Sequence, residues 1–359
     1  MSDASTNHII DSYLEEASAP MFLSGYFRSP PQNFHTSENI EIDIQRDNED
    51  VAIVIHDLTV TPRHNEATLY TNKRFAPPIF DEEGAISSYD MIKRQAGQNP
   101  FDSPEYGANA VRSAFAIYRK LEQKIRRAVE LMCAQVLQTG KLTLTNGAGT
   151  ALYEVDFFPK ASHNVTPLVP WSLDGTTGAP LADLTALAGT LRRDGKSEPK
   201  RSIFGESAFA RFLANPAVQK SLDVRRMEIG SIAPETRGLG ATFQGWFWLG
   251  HYKMEIYTYD GFYRNPVTGL HSTYIDTNKV VMLGDGRLDL TFGAIPILVP
   301  PDRRVLPFLP PRISSQGRGL DLTTNAWCTP DGKHVMVSAG TRPMTIPTAI
   351  DTFGTLTVA

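Results

Sequence analysis

Cysteine is nearly missing from this chain of 359 residues: only Cys133 and Cys328 are present. They form no CxxC pair and no zinc-like spacing, so a disulfide framework is not what organises the fold, and a reducing compartment is expected. Long hydrophobic runs are missing too, none approaching the ~20 residues that a membrane-spanning helix needs. Asp3, Asp11, Glu15 and Glu16 occupy the stretch where a secretory leader would need a basic start and an apolar core. Folding in a cytoplasm, away from any membrane, is the expectation. There is no basic surplus either. A formal net charge of -4 argues against a protein whose main work is gripping phosphates through its surface.

Catalytic patterns are equally scarce. The eight histidines stand singly, with no HxH or HExxH pair. His56 beside Asp57 reads as a solvated strand-end pair rather than a base with its orienter. "GLGATFQG", residues 238–245, lacks the Lys-Ser/Thr of a phosphate loop and reads as a turn into the strand around Trp246. "GDGRLDL" sets Asp285 and Asp289 four apart, too few oxygen donors for calcium, and predicts a turn with solvated acids. Trp246, Phe247 and Trp248 have no basic interleaving and fit core or interface packing better than base stacking. No GxSxG elbow occurs. The residues supply no catalytic, cofactor-binding or metal-binding candidate.

What is there is a globular composition, 41% apolar and 21% charged, long enough for about two domains. The apolar-aromatic cluster "MFLSGYF", residues 21–27, reads either as an arm lying on something or as a loop tucked onto its own core. Ile40, Ile42 and Ile44 alternate with acids, and "VAIVIHDLTV" follows; both predict strands. After them comes a long aperiodic stretch with exposed-looking bases, which predicts a projecting hairpin. The clearest element runs from Ser103, a fitting N-cap, through Pro104 to Gly140. Val111, Phe115, Tyr118, Leu121, Ile125, Val129, Met132 and Val136 step along it by three and four. Such a helix is on the order of 50 Å long, a spine needing a sheet to lie on.

"KLTLTNGAGTALYEVDFF" then predicts a hairpin turning at Asn146 and Gly147. "PLADLTALAGTLRRDG" repeats leucine at helical spacing and stops at Gly195; "GESAFARFLANPAVQKSLDVRR" predicts two short helices split at Asn215-Pro216. Strands around Tyr252–Ile256 and in "KVVMLGDGRLDL" complete a second α+β region. Six prolines between 296 and 311 exclude regular structure there. The ending, "RPMTIPTAIDTFGTLTVA", alternates like a half-buried strand and carries one acid after Arg342. An apolar strand at a chain end requires something to pair with it.

In order these elements resemble the HK97-fold major capsid proteins of tailed bacteriophages, and within them the lambda-like (E-type) major head protein family. The resemblance is carried by "FLSGYF" in the arm, "KRFAPPIFDEEGAIS" in the return of the extended loop and "VLQTGKLTLTNGAGTALYEVDF" at the end of the spine helix. It is carried further by "FARFLANPAVQKSLDVRR", "YIDTNKVVMLGDG", "TFGAIP" and the closing segment. It implies an α+β fold divided into an N-terminal arm (1–40), an extended loop with flanking strands (41–85) and a peripheral domain with spine helix about 104–139 and hairpin (86–165). An axial domain (166–341) and a C-terminal strand returning to the peripheral sheet beneath the spine helix (342–359) would follow.

The resemblance implies a structural shell subunit of a virion, built in the host cytoplasm as hexamers and pentamers around double-stranded DNA, with no catalytic role and no cofactor. Its partners would be itself, a decoration or cement protein, and scaffolding and portal proteins. Arg63, Lys73, Arg74 and Phe75 in the loop, with Phe22 and Tyr26 in the arm, are the inter-subunit contact candidates. Lys73 carries no mark of reactivity, so non-covalent reinforcement is expected. The slightly acidic charge suits a container through which DNA must slide. An encapsulin-like compartment shell shares this fold and is the alternative; a cytoplasmic hydrolase with an unrecognised site is the reading from another class.

Overall fold

A computed structural model of the chain describes residues 21–35, 40–44, 71–87, 106–146, 148–222, 230–238, 240–295, 321–329 and 331–359. Two 3-10 turns, Ser24–Tyr26 and Pro31–Asn33, shape the arm, and β1 (Ile40–Ile44), β2 (Thr71–Phe75) and β3 (Phe80–Ser87) follow. The spine helix α1 is Tyr106–Thr139, about 51 Å at 1.5 Å per residue. Gly140 ends it with φ +66°, and its N–H donates to the Val136 carbonyl at 2.8 Å. A Cβ there would sit 2.4 Å from the Pro159 ring, so both conformation and space call for glycine. The expected start at Ser103 and Pro104 lies outside the described residues.

The hairpin β4 (Lys141–Thr145) and β5 (Ala151–Asp156) forms as its turn residues predict. Asn146 Oδ1 accepts from the Ala148 and Thr150 amides at 3.0 and 2.9 Å. Then come β6 (Asn164–Val165), α2 (Pro180–Gly195), β7 (Pro199–Phe204), α3 (Glu206–Ala214) and α4 (Pro216–Leu222). Asn215 splits the last two as predicted, its Oδ1 taking the Ala217 amide at 3.0 Å. The remaining strands are β8 (Gly230–Gly238), β9 (Ala241–Leu249), β10 (Tyr252–Tyr259), β11 (Phe262–Arg264), β12 (His271–Thr273), β13 (Lys279–Gly284) and β14 (Asp289–Phe292). The chain closes with β15 (Thr323–Cys328), β16 (His334–Thr341), β17 (Pro343–Ile346) and β18 (Phe353–Thr357).

The central sheet has seven strands in the order β6-β18-β13-β7-β10-β9-β8. Helices α2, α3 and α4 cover one face, where Leu184, Leu187, Phe212, Val280, Met282 and Leu356 share a core. The last turns of α1 and the arm cover the other, with Met132, Val136, Val281, Leu283 and Phe353. Because both faces are covered, β13 reads as the continuous apolar run "VVML" rather than an alternation. The first half of α1 lies elsewhere. Ala114 packs with Ile86, Ala326, Val335 and Val337, and Leu121 and Ile125 pack with Leu322 and Ala339. Apart from Leu322, which immediately precedes β15, these partners belong to a three-stranded sheet, β15-β16-β3. One helix therefore bridges two sheets.

Two pairings join segments that the expected partition lists apart. Strands β15 and β16, expected within a domain running to 341, join β3 along the spine helix, His334 opposite Ser87 and Thr341 opposite Phe80. The closing strand lies in the central sheet between β6, whose residues fall in the expected peripheral range 86–165, and β13, whose residues fall in the expected axial range 166–341. It is antiparallel to β13 (Val280 opposite Leu356) and parallel to β6. Alternation in sequence shows which faces a strand buries, but says nothing of its neighbours. Residues 51–60 and the prolines of 296–311 lie outside the described residues.

Candidate functional site

The arm is held by one carboxylate. Glu130, at the middle of the buried half of α1, is fully buried. Its Oε1 accepts the Leu23 amide at 2.7 Å and the Tyr259 hydroxyl at 2.9 Å, and its Oε2 accepts the Ser24 amide at 2.9 Å. Burial pushes the Glu130 carboxyl above its ordinary range, while these donors pull it back. Phe22 and Tyr26 then pack edge to face at 5.4 Å, Phe22 against Tyr259 at 5.3 Å, and the Arg201 guanidinium stands 5.6 Å from the Tyr26 ring. The contact candidates Phe22 and Tyr26 thus lie half-buried on the chain's own central sheet. Of the two readings of "MFLSGYF", the tucked one describes residues 21–27.

Further along, Arg28 bridges to Asp289 and Phe34 to Phe292, so the arm runs parallel to β14. The expected solvated turn acids divide here. Asp285 is exposed and pairs with Lys200. Asp289 is buried, a correction: it accepts from Arg287 Nε at 2.7 Å, Thr348 Oγ1 at 2.8 Å and Asn33 Nδ2 at 3.4 Å. Those donors replace its lost water.

The root of the extended loop is a short ladder. β1 and β2 run antiparallel from Ile40 opposite Phe75 to Ile44 opposite Thr71. Lys73 lies opposite Ile42 and Arg74 opposite Glu41, with Arg74 exposed; Arg63 lies outside the described residues. Phe75 is half-buried with its ring 5.5 Å from Phe157. The next residues are pinned from two sides. The Tyr153 hydroxyl donates to the Ala76 carbonyl at 2.7 Å. Arg342 donates through Nη2 to the Pro77 carbonyl at 3.3 Å and through Nη1 to the Ala294 carbonyl at 3.0 Å. Glu82 in β3 then pairs with Lys124 of α1 at 2.6 Å. The loop therefore springs from a braced base, and Lys73, Arg74 and Phe75 belong to that base.

Between α1, β4 and the β11–β12 hairpin lies a groove of about 1580 Å³, walled by Lys120, Lys124, Arg127, Leu131, Thr143 and Phe262. Among the described residues no cluster of His, Cys, Asp and Glu is arranged to hold a metal. His163 Nε2 meets Asp194 Oδ2 at 3.0 Å, and Lys160 meets the other oxygen at 3.0 Å. That group ties the turn before β6 to the end of α2.

Glu130 and Arg342, the two side chains that position arm and loop, escaped the sequence reading. Each looks like one charge among many, and the only local signal was Glu130 standing inside the apolar stretch Val129–Met132.

The model of the family "phage major capsid protein E" matches residues 14–358. The chain belongs to this family. It is a structural protein of the virion capsid, and its family implies self-assembly into a multimeric shell. The fold is similar to that of a protein assigned as the capsid protein of an Escherichia coli CFT073 prophage, 16% identical, with 81% of this chain and 80% of that one covered at TM-score 0.58. It is also similar to the capsid structure of the cyanophage P-SCSP1u, 10% identical, covering 98% and 92% at TM-score 0.51. An overlay on the holo-SrpI encapsulin complex of Synechococcus elongatus PCC 7942 is 12% identical over 98% and 91%, and its TM-score of 0.49 carries no weight in the choice. Among curated proteins, none matches the chain. No described helix of this capsid protein is long and apolar enough to cross a membrane.

Proposed function

We propose that this capsid protein builds the head of a tailed bacteriophage as hexamers and pentamers, and that the loop between Ile44 and Thr71 is what couples one copy to the next. The observation that supports the reading is the braced loop root. Phe157, Tyr153 and Arg342 hold residues 75–77 from three directions, which fixes where the loop leaves the body. A rigid base is needed where a repeated contact must close a ring, because angular error accumulates around it. Arg63, Lys73, Arg74 and Phe75 are the loop's contact residues in this reading, and Phe22 and Tyr26 act through the arm's seat. The interior encloses double-stranded DNA without reading its sequence, in keeping with a net charge of -4. The protein performs no catalysis, and a decoration protein reinforces the shell from outside; scaffolding and portal proteins take part during assembly.

Negative-stain microscopy of the expressed chain tests the reading. Shells or capsomer-sized rings are expected. Replacing residues 47–68 with a two-residue Asn-Gly turn should leave the far-ultraviolet circular dichroism of the body intact and yield soluble monomers. Small discrete oligomers from the full chain, or normal rings from the shortened one, would overturn it.

A further inference from the structure

We propose that two apolar patches on opposite faces of the central sheet meet between copies, the 168–173 loop of one copy seating on the paired hairpin tips of the next. The inference rests on the capsid reading and adds a second contact to it, separate from the extended loop. Monomeric proteins seldom leave large apolar side chains clustered at the surface. Here most of those left exposed among the described residues fall in two places. Leu168, Val169 and Leu173 form one, in the loop between β6 and α2, with Leu168 99% exposed. Leu152, Phe262, Val267 and Leu270 form the other, at the β4–β5 and β11–β12 hairpins, with Leu152 72% and Leu270 69% exposed.

Neither patch is slack chain. In the loop, Trp171 is buried in the core beneath α2, α3 and α4. Its amide donates to the Val358 carbonyl at 2.9 Å and its indole Nε1 to Asp183 at 2.8 Å, while Arg211 donates to its carbonyl. Pro167 and Pro170 stiffen the stretch that carries Leu168 and Val169. The leucines are thus held out by a braced backbone, and little freedom is left to lose on contact. The hairpins are braced on the other side of the sheet, where Tyr153, Val155 and Tyr263 pack on the core beneath the spine helix. A Cβ on Gly149 would stand 3.2 Å from Val267, so the two tips touch and their apolar side chains lie side by side.

Charge decides which surface answers the loop. The β11–β12 hairpin also walls the groove beside α1, which carries Lys120, Lys124, Arg127 and Arg264 against Glu82 and Asp260. Between Asn164 and Ala182 the only charged side chain is Asp174, exposed beside Leu173. It is ionised at neutral pH, because the Ser172 hydroxyl and then the Thr176 amide and hydroxyl lower its pKa to about 2. An apolar loop ending in an acid complements apolar tips beside a basic groove. A loop-to-loop contact would set two Asp174 carboxylates together, and a tip-to-tip contact two basic walls. A two-fold axis joins a patch to itself, whereas unlike patches on opposite faces join head to tail, which closes rings.

Disulfide trapping tests the contact. Full-length chains carrying Leu168→Cys are mixed with chains carrying Leu152→Cys, Phe262→Cys or Leu270→Cys, assembled and mildly oxidised. Non-reducing gels should show linked pairs of chains only in the mixtures, and mass spectrometry should join position 168 to at least one of 152, 262 and 270. The parent chain, with Cys133 and Cys328, sets the background. In a second arm, Leu168→Arg with Leu173→Arg should raise the concentration at which rings form by on the order of 100-fold. Its far-ultraviolet circular dichroism should not change, because both leucines are exposed.

Links of 168 to 168, or of a tip position to itself, would overturn the inference by showing a two-fold contact. So would rings without any of the expected links, which would leave both patches to a separate protein. Rings from the arginine variant at the parent's concentration would overturn it as well. In each of these cases rings are present and the capsid reading stands. A parent chain that forms no rings would remove that reading and this contact together.

Discussion

Glu130 carries the arm through donors that come from more than a hundred residues away, Leu23 at a separation of 107 and Tyr259 at 129. Glu130→Ala strands two buried amides and one hydroxyl, each costing about 1–3 kcal/mol when left unpaired. A loss of roughly 3 kcal/mol is expected, read as a lower urea midpoint with unchanged slope. Two carboxyls then pull pH dependence in opposite directions. Burial raises the Glu130 pKa, so its folded form holds the proton more tightly than the unfolded chain. Its contribution is full below the ordinary glutamate value and is lost as pH rises through the raised one. Asp174 is lowered to about 2 by the Ser172 hydroxyl and then by the Thr176 amide and hydroxyl. Its contribution is present above the ordinary aspartate value and is lost as pH falls towards about 2. Thermal melts of Glu130→Gln and Asp174→Asn across pH 2–8 should flatten the less acid and more acid limbs respectively. The same slope in both variants as in the parent would contradict this assignment.

Among the elements, the spine helix and the closing strand matter most. Gly140→Ala forces a left-handed Cβ into the Pro159 ring, and a loss of about 2 kcal/mol is expected. Leu356 is buried with Leu187, Val280 and Val358, so Leu356→Ala should cost about 3 kcal/mol in the same denaturation assay. Deleting residues 353–359 removes a strand from the interior of the sheet, between β6 and β13. It exposes two ladders and both flanking cores at once. That truncation should yield insoluble protein; soluble particles from it would show that the sheet closes without β18. The end of the spine helix and the hairpin were legible because their signals are local: Gly140, the three-and-four spacing, and Asn146 with its turn. The partners of β16 and β18 were not, since β16 pairs with β3 and β18 with β6 and β13, all far off along the chain, and any alternating strand presents the same pattern.

For the whole molecule, a subunit whose arm, loop root and closing strand are all seated on one frame should assemble without covalent help. Mature particles boiled in detergent should run as a single band, and a ladder of linked chains would show cross-linking. High salt separates two contributions. Surface charge contacts between copies weaken as the screening length shortens, while the cores around α1 do not. Capsomers should therefore dissociate by light scattering before the circular dichroism of the chain changes.

The sequence by itself determined the spine helix and its end at Gly140, the hairpin at Asn146, the helix break at Asn215, the α+β class and the family resemblance, because each is written in short-range period or in order along the chain. Only the tertiary structure decided that one helix spans two sheets, that the tail closes the larger of them, and that Glu130 and Asp289 are buried. Those outcomes depend on which distant donors and apolar faces arrive together. Residues that look like ordinary surface acids are held inside when a fold brings them enough hydrogen bonds.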